Sequence, residues 1–146
     1  MAKMQAEFKR GIVLMATFVA GEKIEAGDLL GAPTGPGAGA GTVRRLTKAG
    51  YLLGIAHNDA EAGEKVQVEV PLGAVYRVTA APNARVPLTP GLPIVAWDGG
   101  TFVGEPDGQA GSPICGYVVD AAASGGQDFR ASLISFIIAA LNPYAA

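Results

Sequence analysis

One imidazole, His57, and one thiol, Cys115, are the side chains best suited to nucleophilic or general-base chemistry near neutral pH. His57 stands in Ala56-His57-Asn58-Asp59, a string that reads as the turn after a strand rather than as a catalytic base. No Gly-x-Ser-x-Gly elbow is present, and Ser112 and Ser124 fall among turn residues. A lone His and a lone Cys, far apart, have no metal-ligand spacing. Asp98, Glu105 and Asp107 offer oxygen ligands for Ca²⁺, but they match no EF-hand loop and are expected as turn formers. Gly35, Gly37, Gly39 and Gly41 form neither a dinucleotide fingerprint nor a P-loop. Tyr51, Tyr76, Trp97, Phe102 and Tyr117 are spread one per strand-like run, which suits core or interface better than a sugar-stacking face. The reading is a protein without catalytic residues, cofactor or metal.

The elements that would hold these residues are short and strand-like. The chain has 146 residues, 49% hydrophobic and only 16% charged, against a usual charged share of about 25%. One domain with a substantial core is expected, and with so few charges part of its apolar surface should be covered by partners. The net charge of −2 argues against nucleic acid as a direct partner. Arg44, Arg45 and Lys48 are too few for a basic patch. A single cysteine excludes an internal disulfide. The longest apolar run, Leu133–Leu141, falls well short of a membrane helix, so no membrane partner is expected. No secretory leader is read in the first residues.

With 21 glycines and 10 prolines, breakers recur every few residues and no long helical period survives. Strands are expected at Ile12–Val19, Leu29–Leu30, Thr42–Leu46, Leu52–Ala56, Lys65–Val70, Ala74–Thr79, Ile94–Trp97, Thr101–Val103, Ile114–Val119 and Phe129–Ile138. Glu25-Ala26-Gly27-Asp28 and Asp98-Gly99-Gly100 supply turn glycines, the latter closing a hairpin from Trp97 to Thr101. Residues 1–10 read as a short helix or an unpaired arm, and Gly31–Gly41 as a surface loop. The C-terminal run is apolar on both faces and needs cover on both. It ends as a tail with Leu141 and Tyr144 as anchors.

Two phrases occur twice. Leu53-Gly54-Ile55-Ala56 with its following Gly63 and alternating run returns as Cys115-Gly116-Tyr117-Val118 with Gly126. Ile24–Ala32 (IEAGDLLGA) returns as Leu88–Ala96 (LTPGLPIVA). The offset is about 62–64 positions each time. The fold expected is all-β: a small barrel or sandwich body of two similar units, about 24–70 and 88–133, inside a domain spanning 12–138. Residues 1–11 and 139–146 would be terminal arms.

The series Lys23–Leu30, Leu53–Ala56, Ala62-Gly63-Glu64-Lys65-Val66-Gln67-Val68, Pro90–Val95 and Cys115–Val119 resembles the capsid decoration, or cement, proteins of tailed bacteriophages. The resemblance covers roughly residues 12–135. It implies a β-tulip-like fold and a homotrimer on the outside of an icosahedral head, made in the host cytoplasm. The trimer would sit at three-fold and quasi-three-fold positions and stabilise the shell against internal DNA pressure. It implies the major capsid protein as partner, with neighbouring trimers as further contacts. Carried onto this chain, Met4, Phe8, Lys9 and Arg10 would contact the capsid through the N-terminal arm. Phe136, Ile138, Leu141 and Tyr144 would contact sister subunits or neighbours. The alternative is another virion or surface module, such as a tail or carbohydrate-binding β domain.

Overall fold

The computed structural model describes residues 6–31, 42–46, 50–82, 89–97, 102–105, 113–120 and 125–135. It is all-β over these residues: β1 (Glu7–Arg10), β2 (Val13–Ala20), β3 (Leu29–Gly31), β4 (Thr42–Arg45), β5 (Leu52–Ala56), β6 (Lys65–Thr79), β7 (Pro93–Trp97), β8 (Phe102–Gly104), β9 (Ile114–Val118) and β10 (Asp128–Ile134).

The strands join in the order β2-β4-β3-β5-β6-β10-β9-β7-β8, with β1 on β6 and a second contact between β2 and β6. The fifteen-residue strand β6 is the axis. Its first half pairs with β2 and β5, its second half with β1 and β10. Because β2 also pairs with β4, the pairings of β2, β4, β3, β5 and β6 run in a ring. In the second half, β8 is bridged through Val103 to Ala80, just past the end of β6, as β4 meets the end of β2.

Hydrogen bonds repeat along with the phrases. Gly27 N donates to Ala56 O and Gly91 N to Val118 O, both at 2.8 Å. Ala56 N and Val118 N return bonds of 2.9 Å to Asp28 O and Leu92 O. Gly63 N reaches Ala20 O as Gly126 N reaches Ala80 O, and Gly21 N reaches Val43 O as Ala81 N reaches Val103 O. Gly27, Gly63, Gly91 and Gly126 all have φ between +81° and +91°, the left-handed region that a side chain disfavours. The second half of β6 therefore holds, against β10, the place that β2 holds against the first half.

Burial follows from this. β5 and β3 are buried along their whole length, as a strand between two apolar layers must be. Ile55 and Leu29 face the larger core with Tyr76, Val78, Ile94, Phe129 and Leu133. Leu30, Leu53, Val66, Val68 and Val70 fill a second core inside the ring. Each such large side chain contributes about 2 kcal/mol by leaving water.

Two sequence expectations change. Lys65–Val70 and Ala74–Thr79 are one strand, since Pro71-Leu72-Gly73 makes no hairpin. Gly73 has φ of +88° and the register with β10 shifts at Leu72, so the break is a bulge that the ladder spans. Residues 7–10, expected as helix or unpaired arm, form β1 on the chain's own β6, with Glu7 opposite Arg77 and Phe8 opposite Tyr76. The hairpin expected after Trp97 is seen in β7 and β8, where Trp97 faces Phe102; the turn itself lies outside the described residues.

Candidate interaction surface

The two reactive side chains sit in different surroundings. Cys115 is buried in the larger core, its Sγ 3.5 Å from Ile94 O, and burial pushes its thiol up to about 12. His57 is exposed at the end of β5, with Nδ1 2.8 Å from Glu69 Oε2, while Tyr76 donates to Glu69 Oε1 at 2.9 Å. Among the described residues, no group of three or more His, Cys, Asp or Glu could hold a metal ion. An open groove of about 520 Å³ is lined by Glu25, Asp59, Glu61 and Glu64 beside Lys23. Its acids build turns: Asp59 accepts from Ala26 N at 2.8 Å, and Glu64 accepts from Glu61 N at 2.7 Å.

What the surface offers is strand edges and apolar side chains. β1 is held on β6 by charge and by an aromatic contact. Glu7 pairs with Arg77 at 2.6 Å and Lys9 at 2.9 Å, and Arg77 reaches Asp128 at 3.7 Å. The Phe8 ring meets Tyr76 edge-on, with centroids 5.7 Å apart. The Lys9 hydrogen bond and the Arg77 charge hold the Glu7 carboxyl below its usual value. A depressed carboxyl stabilises above its unfolded pKa and loses that contribution as pH falls through the folded one. Docking of β1 should therefore loosen below about pH 4.5, and salt should weaken it at neutral pH. NMR relaxation of the β1 amides across pH 7 to 3 checks this, with Glu7→Gln losing the pH step.

The sequence-expected contacts divide by position. Phe8, Lys9 and Arg10 lie on β1 and are exposed. Phe8 is nevertheless half packed on Tyr76, which gives it a structural task. Met4, Phe136, Ile138, Leu141 and Tyr144 lie outside the described residues.

Sequence reasoning missed the edge of β2. Ile12 is 69% exposed, and Leu14 and Met15 are 49% each. Neighbouring residues in a strand point to opposite faces, so β2 shows apolar side chains on both. No described strand pairs with its outer edge before Val19, where β4 begins. The only sequence signal is the lack of any charge or proline from Ile12 to Ala20. Exposed Ile114 and Tyr117 on β9 and Tyr51 before β5 add smaller apolar areas.

A family model described as phage cement protein matches residues 8–133. No curated protein sequence matches the chain. Among solved structures, the crystal structure of the head fiber N base in bacteriophage phi29 aligns with a TM-score of 0.56. That alignment has 21% identity and covers 84% of this chain and 94% of that one. At this identity the likeness speaks for the fold.

Proposed function

The chain belongs to the phage cement protein family, a structural component of the virion, and from that premise we propose that three copies bind the outside of an icosahedral head as a clamp. The trimer sits at three-fold and quasi-three-fold positions, touches the major capsid protein and neighbouring trimers, and resists separation of capsomers under internal DNA pressure. The chain is made in the host cytoplasm and joins the particle there.

The observation that supports this reading best is the family match over residues 8–133, joined to a body whose described surface carries open edges and apolar patches. Rigidity suits the task, because a clamp that is ordered before it binds loses little entropy on binding. One β unit used twice around β6 gives such a body, residues 24–70 and 88–133 being the two copies within a domain of 12–138. Three weak contacts held on one trimer bind far more tightly than one, because the second and third are intramolecular.

With β1 fixed on β6, capsid contact from the N-terminal arm comes from Met4 and from the outward side chains of Lys9, Arg10 and the free edge of the Phe8 ring. The test is a binding isotherm of purified protein on expanded bare heads. Saturation at three copies per three-fold site is expected. Binding that fails to saturate, or that saturates at one copy per site, contradicts the reading. Removing residues 1–5 should weaken binding while the circular dichroism of the β body stays unchanged.

A further inference from the structure

We infer that the outer edge of β2 accepts the C-terminal segment, residues 136–146, of a neighbouring copy of this chain as an added antiparallel strand. The inference rests on the reading of the protein as a homo-oligomeric cement and names the contact that would join its copies.

The edge is open by hydrogen-bond parity. Gln67 N donates to Asn58 Oδ1, and Gln67 O accepts from His57 N, so both main-chain groups of Gln67 face away from β2. Thr17 lies directly across from Gln67 in an antiparallel ladder. Opposed residues in such a ladder point both inward or both outward, so the N–H and C=O of Thr17 point to the outer side. Met15, two residues away, does the same. Over these residues no described strand receives them.

The molecule itself shows how such an edge is covered. The second half of β6 stands in the position of β2, with Val75, Tyr76 and Arg77 matching Met15, Ala16 and Thr17 by their partners on β10 and β6. There β1 lies antiparallel on the outer edge. β1 is fitted to its own place by the Glu7–Arg77 pair and by Phe8 on Tyr76. The matching positions on β2 are uncharged Thr17 and small Ala16, so the strand that fits here is uncharged and brings large apolar side chains. A long apolar edge without a charge or proline is one that proteins otherwise protect.

Residues 136–146, FIIAALNPYAA, meet that need: they carry no charge, and 136–141 are apolar at every position. Both faces of such a strand are apolar, as both exposed faces of β2 are. The chain's own tail is poorly placed to fill its own edge. Ser135 N donates to Pro71 O, and Pro71 faces Val13, so the tail leaves level with the start of β2 on the far side of β6. β10 and β2 both oppose β6 and so run the same way. To lie antiparallel on its own β2, the tail must first travel past Phe18, roughly 20 Å, or six to seven extended residues. Pro143 would then fall within the few that remain. A second copy meets no such limit. Donor tail and acceptor edge are different surfaces, so copies join head to tail, and a three-fold rotation between them closes the ring.

Three proteins test it by native mass spectrometry and light scattering: the unaltered chain, a chain lacking residues 136–146, and Thr17→Pro. Thr17→Pro removes an outward N–H that the β2–β6 ladder does not use. Should it disturb folding, Thr17→Lys places a charge on the same edge. The unaltered chain should assemble, and each variant should be a folded monomer. An equal mixture of the two variants should give dimers and nothing larger, since one supplies the tail and the other the edge. The Thr17 amide should exchange slowly in the assembled chain and fast without the tail, while the Phe18 amide, facing β6, stays slow in both.

Assembly that persists without the tail or with a blocked edge overturns the inference, as does an unaltered chain that is monomeric. Head binding is measured alongside. If the tail-deleted chain still assembles while the unaltered chain binds heads, this inference alone fails. If the chain assembles through the tail but ignores heads, the cement reading fails instead. An edge variant that assembles normally yet loses head binding assigns the edge to a capsid strand and also overturns the inference.

Discussion

Replacing Gly116 by Ala should cost about 3 kcal/mol and lower the melting temperature by about 10 °C. A Cβ at Gly116 would collide with Ser132 O and press on Leu133 Cα at 3.2 Å, and neither can move without opening the β9–β10 ladder. The twin position behaves alike: a Cβ at Gly54 meets Glu69 O and the Val68 side chain where β5 crosses onto β6. Both glycines are needed because two strands approach where no side chain fits, and not because of their φ. Gly63 is the contrast, with open space around it and φ of +88°, so Gly63→Ala meets backbone strain alone and should cost about 1 kcal/mol. Thermal unfolding followed by circular dichroism compares the three. Equal losses at Gly116 and Gly63 would contradict the packing argument.

Tyr76→Ala should be the most damaging single truncation, at about 4 kcal/mol. Tyr76 is wholly buried in the larger core, beside the bulge that lets β6 serve both halves. Its ring receives Phe8 and its hydroxyl donates to Glu69, which also meets His57. Burial first, and the bond to Glu69 second, drive the hydroxyl's pKa upward, so it remains a donor throughout the neutral range. Tyr76→Phe keeps the ring and removes only that bond to a carboxylate, a loss of about 2 kcal/mol. The double variant with Glu69→Gln separates the two contributions. If Tyr76→Phe costs as much as Tyr76→Ala, the hydrogen bond and not the packing holds this part of the core. Loss of Tyr76 should also free β1, whose amides would then exchange faster.

The doubled phrases made much of the fold legible. Gly27 and Gly91, Gly63 and Gly126, and Gly54 and Gly116 occupy matched places because the turns need a positive φ that favours glycine and the close crossings leave no room for a side chain. The all-β class and most strands followed from turn chemistry and alternation, as in Val66, Val68 and Val70, which are all buried. β1 was not legible. Glu7-Phe8-Lys9-Arg10 has no strand pattern of its own, and partners nearly seventy residues away, Tyr76 and Arg77, hold it. The continuity of β6 through Pro71 and Gly73 was hidden for the same reason, since the neighbours and not the local residues decide whether such a break becomes a turn or a bulge.

The interaction surface was the hardest to read. Residues 12–20 read simply as a strand, and only the ladder partners on each edge show that the outer side of β2 lacks a described neighbour before Val19. Family membership was legible because five short phrases keep their order and spacing, and the family match spans all five. The residues named for contact rest on the resemblance alone, because interface side chains are chosen by partners that the sequence does not contain.

Cryo-electron microscopy of expanded bare heads mixed with the purified chain tests the central claim most directly. The account predicts new density on the outer shell at three-fold and quasi-three-fold positions, into which three copies of this all-β body fit, each touching its neighbours. Heads that gain no ordered density at saturating protein, or that gain it as single isolated copies, would contradict it.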